Sequence, residues 1–361
     1  MKRRNLLKNM AVGTASTLAL SHAVDAQTSS SDAEIEWRMA TSWLEGDLTF
    51  NTVQTFCDRV KAMTDGQFII TPYQAGKLTS ALEVFDAVQS ANVPCGHTVS
   101  FYYLDRHPSL VFGSTLPFGL TPYQQYAWFY YGGGLEALQQ LHQDFNIISL
   151  PAGNSGVQMG GWFNREVNTV ADLKGLKMRI PGLGAKVMKR LGVEPIILGG
   201  DEIYQALASG KIDAAEWQNP HEDEQLRLHE VAKYYYYPGW WEPGTTYELI
   251  INQQQWQQLP KAYQRILQSA AAQANLTTLA SFDAANGSAL QRLVAAGIEL
   301  KAYSLDILKA AHEATFELLN ETANQDEIFK EIYDQWRLFR RQIFQWNQVN
   351  ELSLESFLLQ S

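Results

Sequence analysis

Cysteine is nearly absent from this chain of 361 residues: only Cys57 and Cys95 occur. Two thiols cannot build a zinc or iron–sulfur framework. An oxidising compartment permits a bond between them. Cys57 also falls on the apolar face of an expected helix with Val53, Phe56 and Val60, which reads as a buried free thiol. Spacing does not decide between the two. Positive charge is also short, with 28 Lys and Arg against 38 Asp and Glu, a net charge of −10. That excludes nucleic acid or an anionic membrane surface as the main partner, since both need a basic face. A small anionic ligand stays open, because a few local positive groups suffice.

Long apolar runs are missing too. Spanning a bilayer takes about 20 apolar residues, and no segment after the N-terminus has them. The catalytic signatures that come closest all fail. "GLGAKV" (182–187) lacks the third glycine of a dinucleotide loop. "HEDEQ" (221–225) has Gln225 where a zinc-protease helix needs its second histidine. "GNSGV" (153–157) has Val157 where a nucleophile elbow needs glycine. The histidines are scattered, and His97, His107, His142, His229 and His312 read as core or surface residues.

The first residues, "MKRRNLLKNMAVGTASTLALSHAVDAQ", are a basic start, an apolar middle and small residues near Ala26. This is an export signal over 1–26, cleaved near Ala26. Arg3-Arg4 give it a twin-arginine look, with the general route as the alternative. The mature protein is expected in the periplasm, where it cannot rely on ATP or NAD.

Apolar periodicity organises the rest. "IEWRMA" (35–40) alternates like a strand, "LTFNTVQTFCDRVKAMTDG" is helical, and "FIITPY" (68–73) is a strand. "LTSALEVFDAVQSA" (78–91) is helical and "CGHTVSFYY" (95–103) strand-like. The order β-α-β-α-β predicts a mostly parallel sheet. The pattern restarts with "NIISLPAG" (146–153) and "VQMGGWFN" (157–164). Thr169 with Asp172 makes a capping signal. "LKMRIPG" (176–182), "AKVMKRLG" (185–192) and "EPIILGG" (194–200) alternate strand and helix, and a helix over 201–218 turns at Gly210 into another strand. After Pro260 there is no proline, and a long helical run covers 261–297. Residues 327–348 form an amphipathic helix with Phe329, Ile332, Trp336, Phe339, Ile343 and Trp346 on one stripe. It packs on its own domain or on a partner chain. Two α/β units without a linker imply a cleft, with ligand outside the strand ends.

Four polar features stand out in the second unit. Arg179 lies inside a strand, where its planar fork matches a carboxylate of a ligand or of a protein acid. Glu216 ends a predicted strand in "DAAEWQNP". Glu242 follows Trp240 and Trp241 in "YYYYPGWWEPG" (234–244). Gln158 lies at another predicted strand end. If Glu216 and Glu242 face one cleft, they repel unless a cation lies between them. Two carboxylates with amide or carbonyl oxygens suit calcium or sodium. Two unrelated surface glutamates is the other reading.

The segments "LKGLKMRIPGLG" (173–184), "GKIDAAEWQNP" (210–220) and "YYYYPGWWEPG" resemble the extracytoplasmic solute-binding proteins of TRAP (tripartite ATP-independent) transporters, in the branch that binds 2-oxo or 2-hydroxy acids with a metal ion. The resemblance runs through most of the chain. It implies an α/β fold of two domains around a hinged cleft, with mixed, mostly parallel sheets and long helices crossing between domains. Expected boundaries are domain I over 35–150 plus part of 245–300, domain II over 151–244 plus part of 298–326, and a C-terminal dimerisation helix and tail over 327–361. It implies that Arg179 clamps the ligand carboxylate and that Gln158, Glu216, the Trp217 carbonyl and Glu242 hold one metal ion, calcium or sodium. Tyr102 reaches the ligand, and Gln158 and Asn219 complete the substrate-binding set. Gln218 and Asn219 stand where a small pair such as Val-Gly is usual in that branch. The implied partners are a small monocarboxylate such as pyruvate or lactate, membrane permease subunits, and a second copy in a homodimer through the C-terminal helix. The rival is an exported metal-dependent hydrolase using Glu216 or Glu242 as general base.

Overall fold

The computed structural model describes residues 35–360; the expected export signal and its cleavage near Ala26 lie outside the described residues. The chain opens with strand β1 (Ile35–Thr41), helix α1 (Leu48–Met63), β2 (Phe68–Tyr73), α2 (Val84–Gln89) and β3 (Cys95–Thr98). Trp37 and Met39 are buried between exposed Glu36 and Arg38, as alternation demands. Helix α1 buries Val53, Phe56, Cys57 and Val60 on one face. Short helices α3 (Val111–Ser114), α4 (Pro122–Tyr131) and α5 (Gly134–Gln143) lead into β4 (Ile147–Asn154).

The next stretch holds β5 (Trp162–Phe163), β6 (Lys177–Arg179), α6 (Gly182–Arg190), β7 (Glu194–Ile196), α7 (Gly200–Ala208), β8 (Ala214–Ala215), α8 (Pro220–Gln225) and β9 (Tyr234–Tyr237). The chain then runs through β10 (Thr246–Asn252), α9 (Gln253–Gln258), the 35-residue α10 (Lys261–Ala295), β11 (Glu299–Ala302), α11 (Leu305–Gln325), α12 (Glu327–Val349) and α13 (Glu351–Leu358).

Two sheets result. The first has the order β2-β1-β3-β10-β4, the second β11-β9-β5-β8-β6-β7. β1 pairs in parallel with β2 and β3, while β10 runs antiparallel between β3 and β4. Both faces of each sheet are covered. Ala40 and Ile250 point into one cluster of the first sheet, and Met39, Leu249 and Ile251 into the other. Tyr236 and Ala214 face one cluster of the second sheet, Tyr235 and Ala215 the other. Each sheet with its helices is a lobe. Segments 155–161 and 238–245 pass between the lobes, as do two helices. Helix α10 buries Leu267 and Ala270 under the first sheet and Leu293 under the second. Helix α11 buries Ile307 and Ala311 against the second and Leu319 against the first.

Three expectations change. Residues 146–153 do not open the second sheet; they form β4, the edge of the first. Of 157–164 only Trp162–Phe163 is strand: the Gln158 amide bonds to Glu242 of the other crossing segment and the Met159 amide to Gln218, and the chain meets β9 only from Gly160 on. In 95–103 the strand stops at Thr98. The Ser100 amide donates to Ser114 Oγ and to Glu248 Oε2, at 2.8 and 3.1 Å, and the chain turns into a 3-10 helix over Ser100–Tyr103. Cys57 and Cys95 are both free and buried.

Helix α12 divides in two. Phe329, Ile332 and Trp336 are in the core of the first lobe, where Phe112 and Phe329 rings stand 5.0 Å apart. Further on the stripe emerges, and Trp346 is 60% exposed. Trp336→Ala is expected to cost about 3–5 kcal/mol by cavity formation. Trp346→Ala is expected to cost about 0.5 kcal/mol or less in a monomer. Denaturant melts at low protein concentration read both.

Candidate functional site

Arg179 and Glu216 are brought together by strand pairing alone. β6 and β8 are parallel neighbours with Arg179 opposite Ala215, so both side chains leave from the carboxyl ends of adjacent strands. The Glu216 amide donates to the Arg179 carbonyl at 2.9 Å. The guanidinium is 1% exposed. Its Nη1 donates to Glu216 Oε2 at 2.6 Å and to the Glu216 carbonyl at 2.7 Å, and its Nε to the Leu198 carbonyl at 3.2 Å. The Trp217 ring lies beneath it, 5.1 Å from Cζ. That ring in turn presses on Gly200, where any Cβ would come within 2.5 Å of it.

Gln158 and Glu242 come from the two crossing segments. The Gln158 amide donates to the Glu242 carbonyl at 3.3 Å, and the Gly239 amide to the Gln158 carbonyl at 3.1 Å. This closeness requires glycine at 239, since a Cβ there would lie 2.4 Å from the Gln158 carbonyl oxygen. Glu242 Oε2 accepts from Thr245 Oγ1 at 2.6 Å.

Arg179, Glu216, Trp217, Gln158, Glu242 and Tyr102 line one small, largely buried cavity between the lobes. Its remaining walls are Trp43, Val99, Phe101, Pro181, Gln218, Thr245 and Tyr247. Trp43 and Tyr102 follow the carboxyl ends of β1 and β3, the same edge rule on the other sheet. Sequence patterns alone did not single out Trp43, Thr245 or Tyr247; their place just past strand ends, or at the start of β10, is the signal that finds them. Trp43 is held by its Nε1, which donates to His97 Nδ1 at 2.7 Å. Asn219 is not a wall residue. It is buried, with Nδ2 donating to the Ser155 carbonyl at 3.1 Å. Trp240 and Trp241 are also off the cavity, packed in the core of the second lobe.

The charges are out of balance. One guanidinium faces two buried carboxylates. Burial pushes the Glu216 carboxyl well above the usual range, and Glu242 adds to the rise. Burial pushes Glu242 up to about 7 against its hydrogen bond from Thr245. Burial raises the Tyr102 hydroxyl to about 12, with Arg179 pulling the other way. Among the wall residues, two buried side-chain oxygens have no hydrogen-bond partner: Glu216 Oε1 and Gln158 Oε1. Orphaned buried oxygens are costly, and here they sit on members of the expected cation set. Among the described residues no group of three or more His, Cys, Asp or Glu could hold a metal. A cation here needs amide and main-chain oxygens beside the two glutamates, a donor set of hard oxygens fit for calcium or sodium. The walls hold no histidine, serine or cysteine.

Residues 39–326 match the model of the bacterial extracellular solute-binding proteins, family 7. The chain is 52% identical over 360 residues to a monocarboxylate 2-oxoacid-binding periplasmic protein of Nostoc sp., covering 99% of each. A TRAP transporter solute-binding protein of Bordetella bronchiseptica, solved as a mixed-occupancy dimer with copurified calcium and picolinate in one active site, superposes with a TM-score of 0.90 at 38% identity, over 91% of this chain and 98% of that one. A TRAP periplasmic solute-binding protein of Pseudoalteromonas atlantica, with bound sodium and pyruvate, gives 0.87 at 36% identity, over 89% and 98%. A solute-binding family leaves no place for the hydrolase reading. The chain belongs to the bacterial extracellular solute-binding proteins of family 7, receptors for transport rather than enzymes.

Proposed function

We propose that this protein is the periplasmic receptor of a TRAP transporter, capturing a small 2-oxo or 2-hydroxy monocarboxylate together with calcium or sodium and delivering it to membrane permease subunits. The observation that carries the reading is the buried cavity that Arg179 lines together with the orphaned Glu216 and Gln158 oxygens. A 2-oxo acid offers one oxygen on C1 and one on C2 to a single cation, in a five-membered ring. Its other carboxylate oxygen suits the guanidinium as a charge-assisted acceptor. Relatives with calcium or sodium and pyruvate or picolinate support the same pairing. In this reading Gln158, Glu216, the Trp217 carbonyl and Glu242 hold the cation, and Arg179 and Tyr102 meet the solute. With two glutamates, one solute carboxylate and one arginine, a divalent cation brings the enclosed charge to neutrality, which favours calcium in a low-dielectric cavity. Domains I and II close about the crossing segments, and the export signal ends near Ala26.

The second copy docks on the C-terminal helix. An open groove lies along it, lined by apolar Phe316, Leu338, Phe344 and Leu352 and by Arg337 and Arg341. The exposed stripe of α12 from another copy has the length and the rings to fill it.

Arg179→Ala should lower affinity for pyruvate by about 30-fold or more, as loss of a buried charged partner does. Calorimetry on a variant with a preserved melting transition reads this, and unchanged affinity removes the clamp. Glu242→Ala should strip the cation. Elemental analysis showing full calcium or sodium in that variant would sink the metal assignment. A chain truncated after Asn324 should be monomeric or insoluble; a stable dimer in light scattering contradicts the helix-mediated dimer. Mass spectrometry of the acid that co-purifies names the solute.

A further inference from the structure

We propose that Asp47 and Glu222 form a proton-binding site that exists only when the cleft is closed, so that solute and proton are captured together. The proposal rests on the closing cleft described above and adds a ligand to it.

Glu222 and Asp223 are neighbours on α8, and they face opposite lobes. Asp223 ties α8 to the second sheet: Trp162 Nε1 and Tyr235 Oη donate to its Oδ2 at 2.8 and 2.6 Å. Glu222 reaches the first lobe instead. Its Oε1 accepts from the Leu48 amide at 2.7 Å, the first amide of α1. A helix of 16 residues thus takes its N-terminal acceptor from the other lobe. Its own N-cap residue, Asp47, makes no side-chain cap bond and turns back to accept from the Leu44 amide at 2.9 Å. The cap at residue 47 was free for an aspartate to fill, and Glu222 fills it.

This places two carboxyls together out of water. Glu222 is 0% exposed, Asp47 is 6% exposed, and Glu222 Oε2 has no hydrogen-bond partner. The groups acting on Glu222 are Asp47 from the start of α1, Asp223 on its own helix, and the Leu48 and Thr49 amides. No lysine, arginine or histidine is among them. From β10, Tyr247 lies near enough to feel Glu222. From α10, Arg292 pairs with Glu224 and the Asn286 side chain accepts from the His221 amide. A metal cation is a poor occupant, since helix amides already point at the carboxyl with their positive ends. A proton fits: it neutralises one acid and gives Oε2 a hydrogen to donate.

Burial, with Asp47 beside it, raises Glu222 to about 8, and burial raises Asp47 to about 6. With the lobes apart both face water and ionise in the ordinary range. Closure therefore takes up a proton between the ordinary glutamate value and about pH 8. The closed form is favoured at the acid end of that window and loses this contribution as pH rises through about 8.

The test uses the full chain, saturated with calcium, and pyruvate as probe. Calorimetry at pH 7 in buffers of different ionisation heat counts protons per pyruvate bound. Glu222→Gln keeps the acceptor for Leu48 and removes the titration. It should take up about one proton fewer than wild type and bind pyruvate more tightly than wild type at pH 9. Asp47→Asn should also lower the uptake, by relieving Glu222. Equal proton counts in wild type and Glu222→Gln overturn the proposal. A second measurement needs no solute: labels at exposed Asn51→Cys on α1 and Gln205→Cys on α7 report the distance between lobes. The close population should grow from pH 9 to pH 6 with Glu222 and not with Gln at 222. If pyruvate fails to bind either protein, the solute assignment falls and this distance decides; a distance that ignores pH, or follows it equally in both, overturns the proton site.

Discussion

Two carboxylates and one guanidinium are buried together, and the rest of the molecule is arranged around that imbalance. An ion pair taken out of water is seldom a net gain in stability, and breaking one is costly. Arg179 satisfies one oxygen of Glu216 and the carbonyl behind it, but it cannot satisfy Glu242 as well. The remaining oxygens are left for something that is not protein. Parallel pairing of β6 with β8 fixes the first two members without help from the other lobe. Glu242 arrives on a separate path, through the crossing segment after β9. The fold thus concentrates acidic groups in one place and supplies too few donors to satisfy them.

Much of the fold was legible because its cores obey simple periods. Alternation in β1, the helical spacing of Val53, Phe56, Cys57 and Val60, and the Thr169–Asp172 capping box all have direct structural counterparts. The proline-free C-terminal third became helices of 35, 21 and 23 residues. The failures share a cause. Residues 146–153 have the strand period, but period says nothing about which sheet a strand joins. Around Gln158 the residues look like a strand, yet Ser155 and Gln158 bond to Thr245 and Glu242 of the other crossing segment and Met159 to Gln218, a pairing that local sequence does not encode.

The site was legible in part. Arg179 could be noticed as a charge inside a strand, and Glu242 as an acid among rings. The residues expected to hold the cation were named through family likeness, because they are separated by up to 84 positions and meet only through topology. Trp43 and Tyr247 carry no chemical oddity that flags them. Asn219 was expected at the substrate wall and instead anchors the crossing segment at Ser155. The four tyrosines of β9 turned out structural, with Tyr235 stacked on Trp162 at 4.0 Å.

The crossing segments have a consequence for timing. Gln158 and Glu242 are bonded to one another through their main chains on the segments about which the lobes would turn, and Glu216 and Trp217 belong to the second lobe. None of the four comes from the first lobe. If they hold the cation, its cage is complete before the cleft shuts and stays complete after it opens. Trp43, Tyr102 and Tyr247, by contrast, travel with the first lobe. The metal is then a tenant of the receptor, and the organic acid a passenger that boards and leaves at each stroke.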